Sequence, residues 1–191
     1  AGAVADAYEK CPDRLTIGTE GAFPPFNYIS SDGKLKGFDV DIAKALCKEM
    51  KTECGFETQK WSGIIAGLKA EKYDAIIASM ASTDERDKQV DFTDKYYTVG
   101  GRFVGPKDTS IEINRKNLKG HTVGVVRATV QVRLLKDKFS DIIDIKTYET
   151  QEEVTLDLMS GRIDLMIGDN LMLENSFLTS EEGQDYEFKG P

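Results

Sequence analysis

Two stretches of the sequence, ninety positions apart, decide the fold class: Leu68-Lys-Ala-Glu-Lys-Tyr-Asp-Ala-Ile-Ile-Ala78 and Leu158-Met-Ser-Gly-Arg-Ile-Asp-Leu-Met-Ile-Gly168. Each runs from a helix end through a basic residue, an apolar residue and an Asp into three apolar residues that are typical of a buried strand. Helix, turn and buried strand also recur in any α/β protein. The close match between the two stretches nevertheless favours two similarly built α/β lobes.

Polar side chains follow each of these predicted strands. Ser79 and Arg86 come after the first strand, and Asp169 and Asn170 come after the second. Ligands of open α/β sheets bind at the carboxyl ends of the strands. The sequence therefore predicts that both lobes present polar groups to one ligand cleft.

Composition and charge limit the classes of partner. The chain has 191 residues, 40% of them hydrophobic, with 25 basic and 33 acidic residues and a net charge of −8. This is enough chain for one substantial core or two small ones, and its acidity argues against nucleic acid or an anionic membrane as partner. The sequence contains no membrane-spanning segment. The run of small residues at positions 1–7 looks like what remains after a signal peptide is cleaved. The alternative is that the start of the chain at position 1 is arbitrary.

The cysteines bear on the cellular compartment. Cys47 is near a predicted helix end and Cys54 is at the head of the next strand, a natural place for a short-loop disulfide. Such a bond would stabilise the fold by roughly 2 to 3 kcal/mol and would indicate an oxidising compartment. The alternative is that these two residues and Cys11 are reduced structural cysteines. With His121 as the only histidine, the sequence predicts neither a metal site nor a cofactor.

Hydrophobic periodicity gives alternating helices and strands. Helices are predicted over 37–49, 61–68, 129–139, 151–160 and 171–178. Strands are predicted at 15–18, from 56, before 126 and at 142–148. An extended segment from Tyr96 to Val104 marks the lobe boundary, so residues 1–98 are predicted as lobe 1 and residues 99–191 as lobe 2, with hinge strands at both ends of lobe 2.

Seven short motifs together resemble one family. They are Gly18-Thr-Glu-Gly-Ala-Phe-Pro-Pro-Phe26, Gly37-Phe-Asp-Val-Asp-Ile-Ala43, Lys72-Tyr-Asp-Ala-Ile-Ile77, Ser82-Thr-Asp-Glu-Arg86, Phe92-Thr-Asp-Lys-Tyr-Tyr97, Leu118-Lys-Gly120 and Gly161-Arg-Ile-Asp164. The chain resembles the periplasmic amino-acid-binding proteins of ABC importers, of the lysine/arginine/ornithine- and opine-binding type. The resemblance implies the two-lobe "Venus flytrap" fold, a monomer, a periplasmic location and a membrane permease as partner. It also implies that the last return of the chain into lobe 1 is missing.

The resemblance assigns the charged ends of an amino-acid ligand to four residues. Arg86 resembles the arginine that binds the ligand α-carboxylate, with Ser79 and Thr129 as further donors. Asp169 resembles the carboxylate that binds the ligand ammonium. The alternatives are that Arg86 is a solvated arginine paired with a neighbouring acid and that Asp169 and Thr129 are ordinary helix caps.

The ligand side chain is assigned in the same way. Phe23 and Trp61 resemble the two aromatic residues that stack on it, and Glu20 resembles an acid facing its far end, which predicts a cationic, elongated ligand. Alternatively, Phe23 belongs to the core and Glu20 is solvated. The sequence departs from the lysine/arginine/ornithine pattern at Ala78, Ala81, Ala128 and Val130. These departures leave room for an opine, such as an octopine-like or nopaline-like ligand, beside arginine.

Three functions are compatible with these residues. The first is a solute-binding protein that captures a cationic amino acid or opine and is not an enzyme. The second is an enzyme of the cyclohexadienyl dehydratase type on the same fold, with Asp169 or Glu20 as the general acid. The third is the ligand-binding domain of a sensor.

Overall fold

A computed structural model describes residues 11–190. Those residues form two compact units, which we call the N-terminal unit, ending at Thr93, and the C-terminal unit, beginning at Asp94. The lobe boundary between residues 98 and 99 stays a prediction. The small-residue run at the N-terminus and Pro191 lie outside the described residues.

The N-terminal unit contains a three-stranded parallel sheet with the order β5-β1-β6. Its strands are β1 (Arg14–Thr19), β5 (Glu53–Thr58) and β6 (Ala75–Ile76). A small antiparallel sheet holds β2 (Ala22–Phe23), β3 (Asn27–Ile29) and β4 (Leu35–Lys36). The helices are α1 (Phe38–Glu49), α2 (Ile64–Lys69), which follows a 3-10 turn at Trp61–Gly63, and α3 (Asp84–Asp87).

Helix α1 begins where the backbone leaves no room for a side chain. Gly37 has a φ of 122°, and a Cβ atom on it would lie 2.3 Å from the carbonyl oxygen of Phe26, so only glycine fits there. From this start α1 buries Val40, Ala43 and Cys47, which recur at the spacing of one helix face. The predicted disulfide is confirmed: it joins Cys47, near the end of α1, to Cys54 in β5.

The C-terminal unit contains a five-stranded mixed sheet with the order β11-β7-β10-β8-β9. Its strands are β7 (Gly101–Pro106), β8 (Thr122–Val126), β9 (Asp144–Tyr148), β10 (Leu165–Asp169) and β11 (Tyr186–Lys189). Strand β7 runs antiparallel to β10 and β11, whereas β8 pairs in parallel with both β9 and β10. The helices are α4 (Val130–Phe139), α5 (Gln151–Met159) and α6 (Asn170–Leu173), with a π-helical turn at Glu174–Leu178.

The two sequence repeats occupy equivalent places in the two units. Each ends in a strand that pairs in parallel with a central strand of its own unit, β1 or β8, which gives the orders β5-β1-β6 and β9-β8-β10. The aspartates of the two repeats make equivalent hydrogen bonds. Asp74 accepts from the Thr16 N–H and Asp164 accepts from the Thr122 N–H, each at 2.7 Å. The predicted α/β class and the similar construction of the two halves are therefore confirmed.

Each unit has its own core. Ile64, Tyr73 and Ala78 are buried in the N-terminal unit, with Trp61 and Leu68 packed against them. In the C-terminal unit, strands β7, β8 and β10 pack against α4; the buried residues are Phe103, Leu118, Val123, Val125, Leu135, Ile143, Leu165 and Ile167. Among residues 11–190, no helix is long and apolar enough to cross a membrane.

Candidate functional site

The sequence-predicted site residues follow strands that are neighbours in the sheets. In the N-terminal unit Glu20 follows β1, and Ser79 and Arg86 follow β6, the adjacent strand. In the C-terminal unit Thr129 follows β8 and Asp169 ends β10, again adjacent strands. In each unit a central strand, β1 or β8, is flanked by two strands that come later in the chain, β5 and β6 or β9 and β10, and such a reversal of strand order is the topological switch point where α/β sheets bind ligands.

Arg86 is held by contacts within the N-terminal unit. It lies in α3, whose cap residue Thr83 accepts a hydrogen bond from the Arg86 N–H. Its Nη1 donates to the carbonyl oxygen of Ala81 at 2.7 Å, and its guanidinium carbon lies 5.2 Å from the ring centre of Trp61, within the range of a cation–π contact. Partial burial lowers the pKa of this guanidinium, and the Glu85 carboxylate partly offsets that effect. The arrangement fixes the orientation of a guanidinium fork that suits a carboxylate.

Ser79 makes a hydrogen bond that the sequence did not indicate. Its backbone has a φ of 55°, an uncommon conformation for a residue with a side chain. Its Oγ donates to Oδ2 of the buried Asp39 at 2.7 Å. A hydroxyl has only one proton to donate. Ser79 can therefore donate to a ligand carboxylate, as predicted, only if it gives up its hydrogen bond to Asp39. The donor role of Ser79 stays a prediction.

Glu20 is half-buried rather than fully solvated. Burial raises its pKa from 4.5 to about 7. A carboxylate in this state is destabilised by lost hydration, and a neighbouring cation would restore its charged form. The loop after β1 therefore carries an acid whose charge is costly without a cationic partner.

The two aromatic candidates lie in different surroundings. Phe23 stacks on Phe26 with ring centres 5.6 Å apart, so it is in contact with a buried aromatic residue. Trp61 opens the 3-10 turn and carries Arg86 over its ring. The structure thus brings Trp61 and Arg86 together, and stacking of a ligand between Phe23 and Trp61 stays a prediction.

Thr129 is at the N-cap position of α4, but its side chain makes no capping hydrogen bond to the helix. Its Oγ1 donates instead to the carbonyl oxygen of Val126 at 2.7 Å. The preceding residue, Ala128, has a φ of 59°, which explains why a glycine is the expected residue there. The first turn of α4 therefore lacks the usual side-chain cap, and a role of Thr129 toward a ligand anion stays a prediction.

Asp169 is buried, with 7% of its surface exposed. It caps α6, as the alternative interpretation held: Oδ1 accepts hydrogen bonds from the N–H groups of Leu171 at 3.1 Å and Met172 at 3.2 Å. Burial raises the pKa of this carboxyl, and the two N–H groups partly offset the rise. Because both bonds use Oδ1, capping and a contact of Oδ2 with a ligand are compatible.

Within the described part of the chain, no group of three or more His, Cys, Asp or Glu side chains could hold a metal ion. His121 lies 3.3 Å from Oδ2 of Asp164, beside the start of β8, and so belongs to the repeat contact described above.

Sequence reasoning missed the residue to which Ser79 is bonded. Asp39 is fully buried, and Asn27, also fully buried, donates to it at 2.8 Å. The signal available in the sequence was Gly37-Phe-Asp39, a motif that contributed to the family resemblance without a role for its aspartate.

The fold and the sequence define the class of protein. The model of the bacterial extracellular solute-binding proteins, family 3, matches residues 15–159. The chain belongs to this family, as the sequence predicted.

Named relatives narrow the comparison. The L-arginine-binding protein of Pseudomonas aeruginosa is 42% identical over 178 residues, which cover 93% of this chain and 69% of the relative. The octopine-binding periplasmic protein of Rhizobium meliloti is 37% identical, over 85% of this chain and 63% of the relative. The solved structure of an ancestral arginine-binding protein bound to arginine is 34% identical, with a TM-score of 0.87, over 95% of this chain and 80% of that one. These relatives are binding proteins, and they have the two-lobe fold that the sequence predicts for this chain.

Proposed function

We propose that this protein captures a cationic amino acid or an opine outside the cytoplasm, in the periplasm, and delivers it to the permease of an ABC importer. The ligand class is arginine-, octopine- or nopaline-like. Glu20, Phe23, Trp61, Ser79 and Arg86 of the N-terminal unit, with Thr129 and Asp169 of the C-terminal unit, are the proposed ligand-binding residues.

The observation that carries this proposal is the half-buried Glu20 carboxyl. Its pKa of about 7 means that the surroundings disfavour its charge, and the guanidinium or ammonium of a ligand side chain would reverse this. An acid that served only solubility would be expected in full contact with water. The similarity to an arginine-binding and an octopine-binding protein supports the same ligand class.

The charged ends of the ligand are proposed to bind two oppositely charged residues. The Arg86 guanidinium, oriented by the Ala81 carbonyl and the Trp61 ring, would bind the α-carboxylate through two parallel N–H donors. The Oδ2 atom of Asp169 would accept from the ligand ammonium while Oδ1 continues to cap α6. Thr129 and Ser79 would complete the polar contacts by turning their hydroxyl protons, which now go to Val126 and Asp39, toward the ligand.

Arginine and opines differ at the ligand nitrogen, because an opine carries a second carboxylate there. Ala78, Ala81, Ala128 and Val130 stand where the lysine/arginine/ornithine type more often has hydroxyl residues or glycine. Fewer hydroxyls near the α-carboxylate would alter how its negative charge is bound. We therefore include both kinds of ligand in the proposal.

The test is isothermal titration calorimetry and thermal unfolding with arginine, lysine, ornithine, histidine, octopine and nopaline, and with glutamine as a neutral control. A true ligand at 100 times its Kd should stabilise the native state by about 2.7 kcal/mol. Glutamine should bind less tightly than the best cationic ligand, because it cannot neutralise Glu20.

Two results would contradict the proposal. One is the absence of binding by every basic amino acid and opine. The other is turnover of prephenate or arogenate, which would favour the dehydratase alternative. Transport of the bound ligand by membranes carrying the cognate permease would test the delivery step.

A further inference from the structure

A buried polar network in the N-terminal unit connects segments that carry the proposed ligand residues. The Oδ2 atom of Asp39 accepts hydrogen bonds from Nδ2 of Asn27 at 2.8 Å and from Oγ of Ser79 at 2.7 Å. Asn27 in turn accepts, through Oδ1, the N–H of Gly21 at 2.9 Å. Asp39 and Asn27 are both 0% exposed.

The network joins four separate parts of the chain. Gly21 lies in the loop after β1, directly after Glu20 and two residues before Phe23. Asn27 is in β3, Asp39 is in the first turn of α1, and Ser79 follows β6. The Oδ2 atom of Asp39 thus accepts hydrogen bonds from Asn27, which binds the loop after Glu20, and from Ser79, at the carboxyl end of β6.

The surroundings of Asp39 are built to hold its side chain in one place. Its backbone N–H donates to the carbonyl oxygen of Phe26 at 2.8 Å. The Gly37 backbone, which has no room for a side chain, brings the start of α1 against the same carbonyl. A negative charge is favoured at the N-terminus of this twelve-residue helix, and a buried carboxylate is tolerated only when it is hydrogen-bonded.

We propose that Asp39 is a positioning residue of the ligand site. It fixes the Oγ atom of Ser79 directly and, through Asn27, fixes the loop that carries Glu20 and leads into Phe23 of β2. This gives the aspartate of the Gly37-Phe-Asp39 motif a function. The inference rests on the proposed function for its effect on ligand affinity, whereas the effect on the loop is independent of any ligand.

The variants Asp39→Ala and Asp39→Asn test this role, with Asp41→Ala as the matched control. Asp41 is in the same helical turn and has the same charge, but it is exposed. We expect Asp39→Ala to raise the Kd for arginine at least about tenfold, or ~1.4 kcal/mol. An asparagine oxygen can still accept from both donors, so Asp39→Asn should stay within about threefold of the unchanged protein. Asp41→Ala should bind as the unchanged protein does.

Amide hydrogen exchange of Gly21, followed by NMR without ligand, tests the loop separately. The Gly21 N–H is hydrogen-bonded to Asn27, so losing the Asp39 carboxylate should speed its exchange at least about tenfold. The amides of β1 and β5 should keep their rates. General destabilisation would instead speed the exchange of all these amides together.

The outcomes separate this inference from the proposed function. If the unchanged protein binds no basic amino acid or opine but Asp39→Ala speeds Gly21 exchange, the proposed function fails and the positioning of the loop is supported. An unchanged Gly21 rate in folded Asp39→Ala overturns the inference, whether or not affinity falls. If Asp39→Ala does not fold, Asn27→Ala replaces it, because it removes both the acceptor of the Gly21 N–H and a donor to Asp39; its Kd for arginine should rise at least about tenfold, and an unchanged Kd overturns the inference.

Discussion

The variant Glu20→Gln should stabilise the unliganded protein at alkaline pH. The native pKa of Glu20, about 7, lies above its ordinary value of 4.5. The native state therefore binds more protons than the unfolded state between these two values, so the stability of the protein falls as the pH rises through this range. Above pH 7 the ionised carboxylate costs the native state most, and the neutral amide removes that cost.

The magnitude follows from the same pKa. Each whole pKa step corresponds to about 1.4 kcal/mol, so a rise from 4.5 to about 7 sets an upper limit near 3 kcal/mol at pH 8. Partial exposure of Glu20 allows water to screen the charge, and we expect a gain of about 1 to 3 kcal/mol at pH 8. At pH 5 the gain should be below about 1 kcal/mol, because the native carboxyl is then largely protonated.

Urea unfolding followed by tryptophan fluorescence measures this gain. Trp61 is the only tryptophan in the sequence and lies in the same unit as Glu20, so its signal reports the unfolding of that unit. Glu57→Gln, at an exposed position in β5, is the control and should change stability at neither pH. A Glu20→Gln protein that is no more stable at pH 8, or whose gain is equal at pH 5, would refute the reasoning. The same variant should bind arginine more weakly.

Three further substitutions test other contacts. Asp169→Asn keeps an oxygen that can cap α6, so its melting temperature should change little while the Kd for arginine, measured by calorimetry, rises at least about tenfold. Replacing Cys47 and Cys54 by serine should lower the free energy of unfolding in urea by about 2 to 3 kcal/mol, since the disulfide closes a short loop. An unchanged free energy of unfolding would contradict this prediction. Leu165→Ala, at a residue with no exposed surface, should lower the free energy of unfolding of the C-terminal unit by about 2 to 5 kcal/mol, measured in urea by far-UV circular dichroism, and a smaller loss would mean that neighbouring side chains close the cavity.

The sequence predicted the elements well because their hydrophobic patterns are local. The helix predicted over 37–49 is α1, and the repeat strands are β6 and β10. The predicted extended segment starting at Tyr96 forms a strand only from Gly101 onward, and the helix predicted over 171–178 divides into α6 and a π-helical turn. These differences depend on strand pairing and on packing, which a local pattern does not contain.

The candidate site could be predicted only in part. The positions of Arg86 and Asp169 after their strands followed from the chain order. For Asp169 the sequence allowed two roles, a ligand contact and a helix cap, and the cap was therefore among the predictions. The hydrogen bond between Ser79 and Asp39 joins residues forty positions apart, and the contact of Arg86 with Trp61 also joins residues that are far apart in the sequence. Such contacts arise from how the strands and helices pack, so the residue types alone did not indicate them.

The paired hydrogen bonds of Asp74 and Asp164 have a consequence for how the chain folds. Each aspartate ties the turn before its repeat strand, β6 or β10, to the neighbouring parallel strand, β1 or β8, at positions 16 and 122. Strand register is thereby set inside each unit, by contacts that need nothing from the other. The chain should accordingly behave as two cooperative foldons, with native-state hydrogen exchange showing one opening free energy for each unit rather than a single value for the whole molecule.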